Sequence, residues 1–247
     1  MKKLLFSCLL IFVSQPLFAT SIVVLITQNY IIIGADSKRM IIDAEKDFTT
    51  NQTVCKIRRV GNYCYAAAGL VASASTSFST DSIINYHLKH QKNFDKALKA
   101  IQKDITTALQ RELQVQKEKH PAQYHKTLEM KANLLEVVIL SINNQVPQAH
   151  ILGFELTDEK NTTIKTYTAV SSGNNAHHGK QFFFLGEYSG MEKYLNTMPS
   201  QSDPVKLVNQ LILSQSQITP SSVGAPVSLV KFSTQGMEWI NNSCNTQ

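Results

Sequence analysis

The stretch TSIVVLITQNYIIIGADSK, residues 20–38, decides the fold that we expect for this chain. Two apolar runs rich in β-branched residues, 21–26 and 30–33, are separated by Thr27-Gln28-Asn29. This pattern is typical of two strands joined by a tight turn. Gly34-Ala35-Asp36-Ser37 ends the second run. The sequence therefore predicts a β-hairpin that starts a sheet directly after Thr20.

The nineteen residues before Thr20 have the organisation of a secretory signal peptide. Lys2 and Lys3 precede an apolar run from Leu4 to Val13, and the small residue Ala19 stands before the expected cleavage site. The alternative is an uncleaved membrane anchor, but the apolar run is too short to span a bilayer. We predict an exported, periplasmic or secreted protein that is not stably inserted in the membrane.

Composition indicates one globular domain after the leader, so the predicted division is a signal peptide over 1–19 and a single domain over 20–247. Of the 247 residues, 43% are hydrophobic, which is ample for a core. The 24 Lys and Arg against 18 Asp and Glu give a formal charge of +6. These basic residues do not form a stripe with interleaved aromatic residues, and the pattern therefore argues against nucleic-acid binding.

Export predicts an oxidising compartment, and leader removal would leave Cys55, Cys64 and Cys244. In a second hairpin that turns at Gly61-Asn62, Cys55 and Cys64 stand about four residues out of register, on the order of 13 Å at the usual strand rise. That separation exceeds the reach of a disulfide. We expect both cysteines to be small buried apolar residues.

The order of elements along the rest of the chain predicts an α+β protein. Two sequential helices, 81–90 and one beginning near Phe94, follow the two hairpins, and 38–53 is polar and reads as irregular. Further strands and a helix that begins at Pro204 are expected in the second half, with strands over 134–142, 149–156, 163–170, 181–185, 226–233 and 237–240. Helices grouped between runs of strands favour stacked antiparallel sheets with outer helix layers.

Thr20 would acquire a distinctive chemistry if it became the first residue of the mature chain. A free α-amino group has a pKa near 7.7 to 8.0, so it can act as the general base for the hydroxyl of its own residue. The same nitrogen in a peptide bond is no base. Removal of the leader would therefore be the activating step.

The residues around Thr20 resemble a known family. The stretch from Thr20 to Lys38 is similar to the amino-terminal strand pair of mature proteasome β subunits, and Asp36 is residue 17 of the predicted mature chain (36 − 19), where that family keeps an aspartate. The family belongs to the N-terminal-nucleophile hydrolases. The resemblance implies their four-layer αββα sandwich.

Three later segments extend the resemblance. Cys55-Lys56-Ile57 is similar to the segment that carries the family's active-site lysine, and Ala66-Ala67-Ala68-Gly69 resembles the small-residue run that ends in its oxyanion-hole glycine. The stretches 223–229 and 236–240 resemble its terminal glycine turn and strand pair. Between these segments, only the order of elements carries the likeness.

The resemblance assigns roles to four residues. Thr20 would be the nucleophile, Lys56 would favour ionisation of its hydroxyl, Asp36 would hold Lys56, and the Gly69 N–H would face the oxyanion. Each of the last three also has a plain structural interpretation. Asp36 could make a turn, Lys56 could be a solvated strand residue, and Gly69 could mark a strand-to-helix junction.

One departure from the family concerns the residues that brace the N-terminal amine. The family uses a serine near a Gly-Ser-Gly turn, and an Asp and a Ser before the last strands. Here these regions read Leu185-Gly186-Glu187-Tyr188-Ser189-Gly190 and Pro220-Ser221-Ser222-Val223-Gly224, without the Asp. Glu187, Ser221 and Ser222 are the residues that could substitute.

No metal or other cofactor is expected. His177-His178 is the only adjacent histidine pair, but adjacent side chains point in different directions, and no Cys, Asp or Glu stands at ligand spacing.

The resulting prediction is a threonine-type amide hydrolase, most simply a peptidase, that assembles as a homo-oligomeric ring without an ATP-driven unfoldase. The resemblance implies that side chains around Arg58, Ala67 and Val71 would set its substrate preference if the family's pocket carries over. Two alternatives stay open: a catalytically silent assembly or binding module of the same fold, and an acylase or peptide ligase that uses the same nucleophile.

Overall fold

The computed structural model describes residues 20–43, 48–129, 133–158, 162–173, 180–197 and 203–241. The predicted leader, the His177-His178 pair and Cys244 lie outside these ranges. No helix within them is long and apolar enough to cross a membrane.

The described residues begin with strands and place their helices in two groups. Before the first helix come β1 (Ser21–Thr27), β2 (Tyr30–Asp36), β3 (Lys38–Asp43), β4 (Phe48–Thr53), β5 (Ile57–Val60), β6 (Tyr63–Gly69), β7 (Ala72–Ser73) and β8 (Phe78–Ser79). The helices α1 (Thr80–His90), α2 (Phe94–Lys119) and α3 (Pro121–Glu129) follow. The remainder comprises β9 (Asn133–Asn143), β10 (Val146–Asp158), β11 (Thr163–Ser172), β12 (Lys180–Gly186), α4 (Ser189–Leu195), α5 (Pro204–Ile218), β13 (Val227–Ser233) and β14 (Gly236–Asn241).

Two five-stranded antiparallel sheets organise the molecule. The first sheet has the order β12-β1-β2-β13-β14, and the second sheet has the order β11-β10-β9-β6-β5. The predicted hairpin of β1 and β2 is present, with Ile22 opposite Ala35. The first sheet therefore contains both the first two and the last two strands of the described residues.

Strand β1 is continuously apolar from Ile22 to Ile26 because both of its faces are covered. Ile22, Val24 and Ile26 pack in the core between the two sheets, against residues such as Ala66 and Val138. The alternate side chains of Val23 and Leu25 pack against α5 on the other face. A strand buried on both faces has no polar alternation, which explains the continuous apolar run in the sequence.

The helices cover the sheets unevenly. The core that contains Ile101, Ile105 and Leu109 of α2 lies between the first two helices and the second sheet. The first sheet packs chiefly against α5, through Val208, Leu211 and Ile212.

The structure corrects the predicted fold class, the four-layer αββα sandwich. Strands make up 46% of the described residues and helices 35%, so this is a mainly antiparallel β architecture. Two small sheets, β3-β4 and β7-β8, add to the two large ones. The stretch 38–53, predicted to be irregular, contains the β3-β4 hairpin, because Met40-Ile41-Ile42 and the threonines after Phe48 favour extended backbone.

The two described cysteines differ in oxidation state. Cys64 is a buried free thiol, and burial raises its pKa to about 12. Cys55 is disulfide-bonded, so the expectation that it is only a small apolar residue is wrong. The prediction that Cys55 and Cys64 do not pair with each other is confirmed.

A buried carboxylate ties the loop after β7 to helix α2. Glu112 accepts hydrogen bonds from Ser75 Oγ at 2.9 Å, Thr76 Oγ1 at 2.7 Å and Gln116 Nε2 at 2.9 Å. Burial alone would raise the pKa of Glu112, but hydrogen bonds led by those of Thr76 and Gln116 outweigh it and lower the pKa below its ordinary value of 4.5. The ionised form is therefore the one that stabilises this loop.

We expect Glu112→Ala to lower the free energy of unfolding by about 2 to 3 kcal/mol at neutral pH, because it removes an ionised hydrogen-bond acceptor. Since the folded pKa lies below the unfolded value, this contribution is present above pH 4.5 and is lost as the pH falls through the folded pKa. Urea unfolding of wild type and variant at several pH values measures the difference. Glu118→Gln, on the exposed side of α2, is the control. Equal stability of Glu112→Ala and wild type at pH 7 would contradict the prediction.

Candidate active site

Thr20 is held at the junction of β1 and the end of β12. It is 8% exposed and immediately precedes β1. Its carbonyl oxygen accepts a hydrogen bond from the Glu187 N–H at 2.9 Å. The next residue, Ser21, lies opposite Gly186 in the ladder, and its Oγ donates to the Glu187 carbonyl at 2.5 Å. The backbone around Thr20 is therefore clamped to the segment after β12.

Asp36 ends β2 beside the start of β1, as the antiparallel hairpin requires. The residue is 1% exposed. Its Oδ1 accepts the Ser21 N–H at 2.8 Å and Lys56 Nζ at 2.6 Å. Its Oδ2 accepts the N–H groups of Lys38 at 3.0 Å and Gly224 at 3.3 Å. Burial raises the pKa of this carboxyl, and Lys56, Ser21 and Gly224 oppose that rise.

Lys56 precedes β5 and reaches Asp36 across the space between the sheets. The side chains of Lys56 and Asp36 are 3% and 0% exposed, so the interpretation of Lys56 as a solvated strand residue is wrong. Since Oδ1 of Asp36 also binds the N–H of Ser21, the buried ammonium lies next to the residue that follows Thr20. Buried ion pairs are costly to form and are weak evidence for stability on their own.

Gly69 ends β6 with a backbone conformation that favours glycine, at a φ of +106°. A Cβ atom there would collide with the carbonyl oxygen of Leu134 on the neighbouring strand. The preceding residue, Ala68, lies close to Gly186, where a Cβ would be 3.2 Å from the Ala68 Cβ and would collide with the carbonyl oxygen of Thr20. Gly186 therefore lies between Ala68, which precedes Gly69, and the carbonyl group of Thr20.

Two of the predicted substitutes for the amine-bracing residues, Ser222 and Glu187, make hydrogen bonds with the backbone near this site. Ser222 is buried, and its Oγ donates to the Thr219 carbonyl at 3.3 Å, closing the end of α5. Glu187 is half-buried, and burial raises the pKa of its carboxyl. The backbone N–H of Glu187 donates to the Thr20 carbonyl.

Sequence reasoning missed two features of this site. It left Gly186 without a role, although a glycine at the end of an aromatic strand indicates close backbone approach. It also passed over Glu136, a charged residue in the apolar run Leu134–Ile142. A carboxylate in such a run is itself a signal, because ionised side chains are seldom buried without partners.

The residues that the structure describes contain no group of three or more His, Cys, Asp and Glu side chains able to hold a metal ion. The described histidines instead make local contacts. His87 Nε2 lies 2.7 Å from Asp104, and His150 Nε2 lies 3.0 Å from Ser141 Oγ.

Comparison with known proteins finds a likeness in overall fold. No family model matches the chain, and no curated protein matches it significantly. Among solved structures, the chain is similar to the Gly-1 mutant of Anbu from Hyphomicrobium sp. strain MC1, a bacterial proteasome-like protein. The TM-score is 0.53 at 14% sequence identity, over 92% of this chain and 89% of Anbu. The structural likeness therefore supports the resemblance at the proteasome-like level.

Proposed function

We propose that this protein is a threonine-type amide hydrolase, most simply a peptidase, whose nucleophile is the hydroxyl of Thr20. The observation that carries the proposal is the shared Oδ1 atom of Asp36. That atom accepts hydrogen bonds from both the Ser21 N–H and Lys56 Nζ, so the buried ammonium lies next to Ser21, the residue that follows Thr20.

The residue types support a two-step reaction. Thr20 Oγ attacks the substrate carbonyl while the Thr20 α-amine takes the hydroxyl proton and passes it to the departing amine, leaving an acyl ester on Oγ. Water then attacks the ester and releases the acid. The ammonium of Lys56 favours ionisation of Oγ and keeps the amine neutral. The N–H of Gly69 is the proposed donor to the oxyanion.

The mechanism requires that residues 1–19 be removed. As long as Thr20 follows Ala19, its nitrogen belongs to a peptide bond and cannot act as a base. We therefore propose export with leader removal, to the periplasm or the medium, as the activating step. In that compartment the substrates would be peptides or loosely folded chains, since no ATP-driven unfoldase would be available.

We also propose that the protein assembles with copies of itself as a ring. The proteasome-like fold of the Anbu neighbour supports assembly.

A specific observation favours the silent-module alternative. The hydroxyl of Ser222, a predicted substitute for an amine brace, is directed to Thr219. Without an oriented amine at Thr20, the same fold would serve as an assembly or binding module. An acylase or ligase would keep the same nucleophile with another substrate.

Intact mass spectrometry tests the proposal. The exported protein is weighed before and after treatment with a peptide epoxyketone, whose two electrophilic carbons react with a hydroxyl and a free amine on the same residue. We expect a chain that begins at Thr20 and gains one adduct. A different N-terminus would exclude the mechanism. A correct N-terminus without an adduct or peptide cleavage would favour the silent module.

We expect Gly69→Ala to lower the rate of adduct formation by about 10²- to 10³-fold, because a backbone N–H shifted away from the oxyanion should cost about as much as a lost oxyanion donor. The methyl group would collide with the Leu134 carbonyl and strain the backbone at a φ of +106°. Gly61→Ala is the control, since Gly61 also has positive φ but a Cβ there meets nothing within 4 Å. The two variants should lose stability through backbone strain, but only Gly69→Ala should lose reactivity beyond its loss of folded protein. Equal reactivity per folded molecule would contradict the role of Gly69.

A further inference from the structure

Glu136 makes a hydrogen bond between the two sheets. It lies on β9 of the second sheet, opposite Ala68, and is half-buried. Its Oε2 accepts the N–H of Gly186 at 2.9 Å, and Gly186 ends β12 of the first sheet. A side chain of one sheet thus holds the backbone of the other where that backbone contacts Thr20.

The other carboxylate oxygen of Glu136 is fixed by two donors. Oε1 accepts Asn133 Nδ2 at 2.8 Å and the Tyr167 hydroxyl at 3.1 Å, and Asn133 Nδ2 also lies 2.9 Å from the Tyr167 oxygen. Tyr167 occupies the space that a side chain at Gly153 would take. With Oε1 held in this way, Oε2 is presented to Gly186.

The position of this bond matters because the proposed nucleophile and oxyanion donor belong to different sheets. Thr20 leads into the first sheet, whereas Gly69 ends a strand of the second sheet. Besides apolar packing, the polar links that cross between the sheets near these residues include Asp36 with Lys56, and Glu136 with Gly186. Reacting groups misplaced by about 1 Å can lose on the order of 10² in rate.

We propose that Glu136 is a positioning residue that sets the placement of Thr20 relative to Gly69 by holding Gly186. The inference rests on the proposed function of Thr20 and adds a residue to it. Glu136 does not touch the reacting atoms; it acts through the Gly186 backbone, the Glu187 N–H and the Thr20 carbonyl.

The test compares Glu136→Ala, Glu136→Gln and the control Glu155→Gln in the mature protein. The amide of Glu136→Gln retains an oxygen that can accept the Gly186 N–H. Glu155 is a neighbouring half-buried carboxylate on β10 that contributes negative charge near Glu136, so its replacement removes a nearby charge without removing the Gly186 acceptor.

We expect Glu136→Ala to lower kcat for peptide cleavage by about 10- to 100-fold with KM little changed, because the substrate still binds but the reacting groups are misplaced. Glu136→Gln should recover most of kcat, and Glu155→Gln should match wild type. Hydrogen exchange at the Gly186 amide should be faster in Glu136→Ala than in Glu136→Gln. If Glu136→Ala folds poorly, Tyr167→Phe, which removes one donor to Oε1 and keeps the ring, should give a smaller loss of kcat in the same direction.

Two outcomes would overturn the inference: a kcat of Glu136→Ala equal to that of wild type, or equal losses of kcat in the Ala and Gln variants with unchanged exchange at Gly186. Either result would leave the role of Thr20 intact if wild type still forms its adduct. Failure of wild type to form the adduct would instead refute the proposed function, and the positioning role would fall with it.

Discussion

Replacing Thr20 by alanine is expected to abolish both the epoxyketone adduct and peptide cleavage, a loss on the order of 10⁴- to 10⁶-fold, as for removal of a nucleophile in other covalent hydrolases. The variant keeps the α-amine but has no hydroxyl to attack with. Its fold should persist, because the Thr20 carbonyl, which accepts the Glu187 N–H, is kept in the variant. Intact mass and peptide hydrolysis, with circular dichroism to verify folding, measure the effect.

Two matched variants test whether the nucleophile is Thr20 or the neighbouring Ser21. Thr20→Ser keeps the hydroxyl and the amine and should retain the adduct. Ser21→Ala removes the neighbouring hydroxyl, which is engaged with the Glu187 carbonyl, and should also retain the adduct. An adduct on Thr20→Ala that disappears in Ser21→Ala would move the nucleophile to Ser21 and contradict the mechanism. Peptide cleavage by Thr20→Ala at a measurable wild-type rate would also contradict the mechanism, whereas the absence of adduct and cleavage in both proteins would favour the silent module.

Local sequence patterns predicted the hairpins around the site because their physical causes are local. The β-branched runs before and after Thr27-Gln28-Asn29 specify β1 and β2. An antiparallel hairpin then places Asp36, fifteen positions after Ser21, beside Ser21 itself. The polar end of β2 and the start of β1 were therefore predictable as neighbours, and the count from the predicted cleavage site singled out Asp36.

Longer-range features were not predictable in this way. The pairing of β1 with β12 and of β2 with β13 joins distant segments, and no local pattern determines such partners. The hydrogen bond from Gly186 to Glu136 depends on how two sheets stack, so a single charged residue in β9 gave no hint of its partner.

The error over residues 38–53 has a related cause. The polar composition of 38–53 predicted irregular structure, whereas strand pairing only requires backbone partners and tolerates polar side chains on exposed faces.

The disulfide of Cys55 was missed because spacing can exclude one partner, Cys64, without identifying another.

The buried pair of Asp36 and Lys56 supports the second large prediction. Asp36→Asn should lower the free energy of unfolding by about 3 to 5 kcal/mol, since it leaves the Lys56 ammonium buried without its counter-charge. Lys56→Met should cost less, because Asp36 retains three backbone donors from Ser21, Lys38 and Gly224. Both variants should lose the adduct. Urea unfolding and intact mass provide the two measurements.

The double variant Asp36→Asn/Lys56→Met separates a structural role of the pair from a chemical one. Replacing both members of a buried ion pair by neutral groups is often close to neutral for stability, so the double variant should be more stable than Asp36→Asn alone. Lys38→Met is the control, because the Lys38 Nζ donates to the exposed Pro220 carbonyl at 2.6 Å and its loss should change neither stability nor adduct appreciably.

If the double variant regains stability and still forms no adduct, the charge of Lys56 is required for the reaction rather than for folding. If it regains stability and reacts like wild type, Lys56 has no part in activating Thr20, and the observation on which the proposed function rests loses its force.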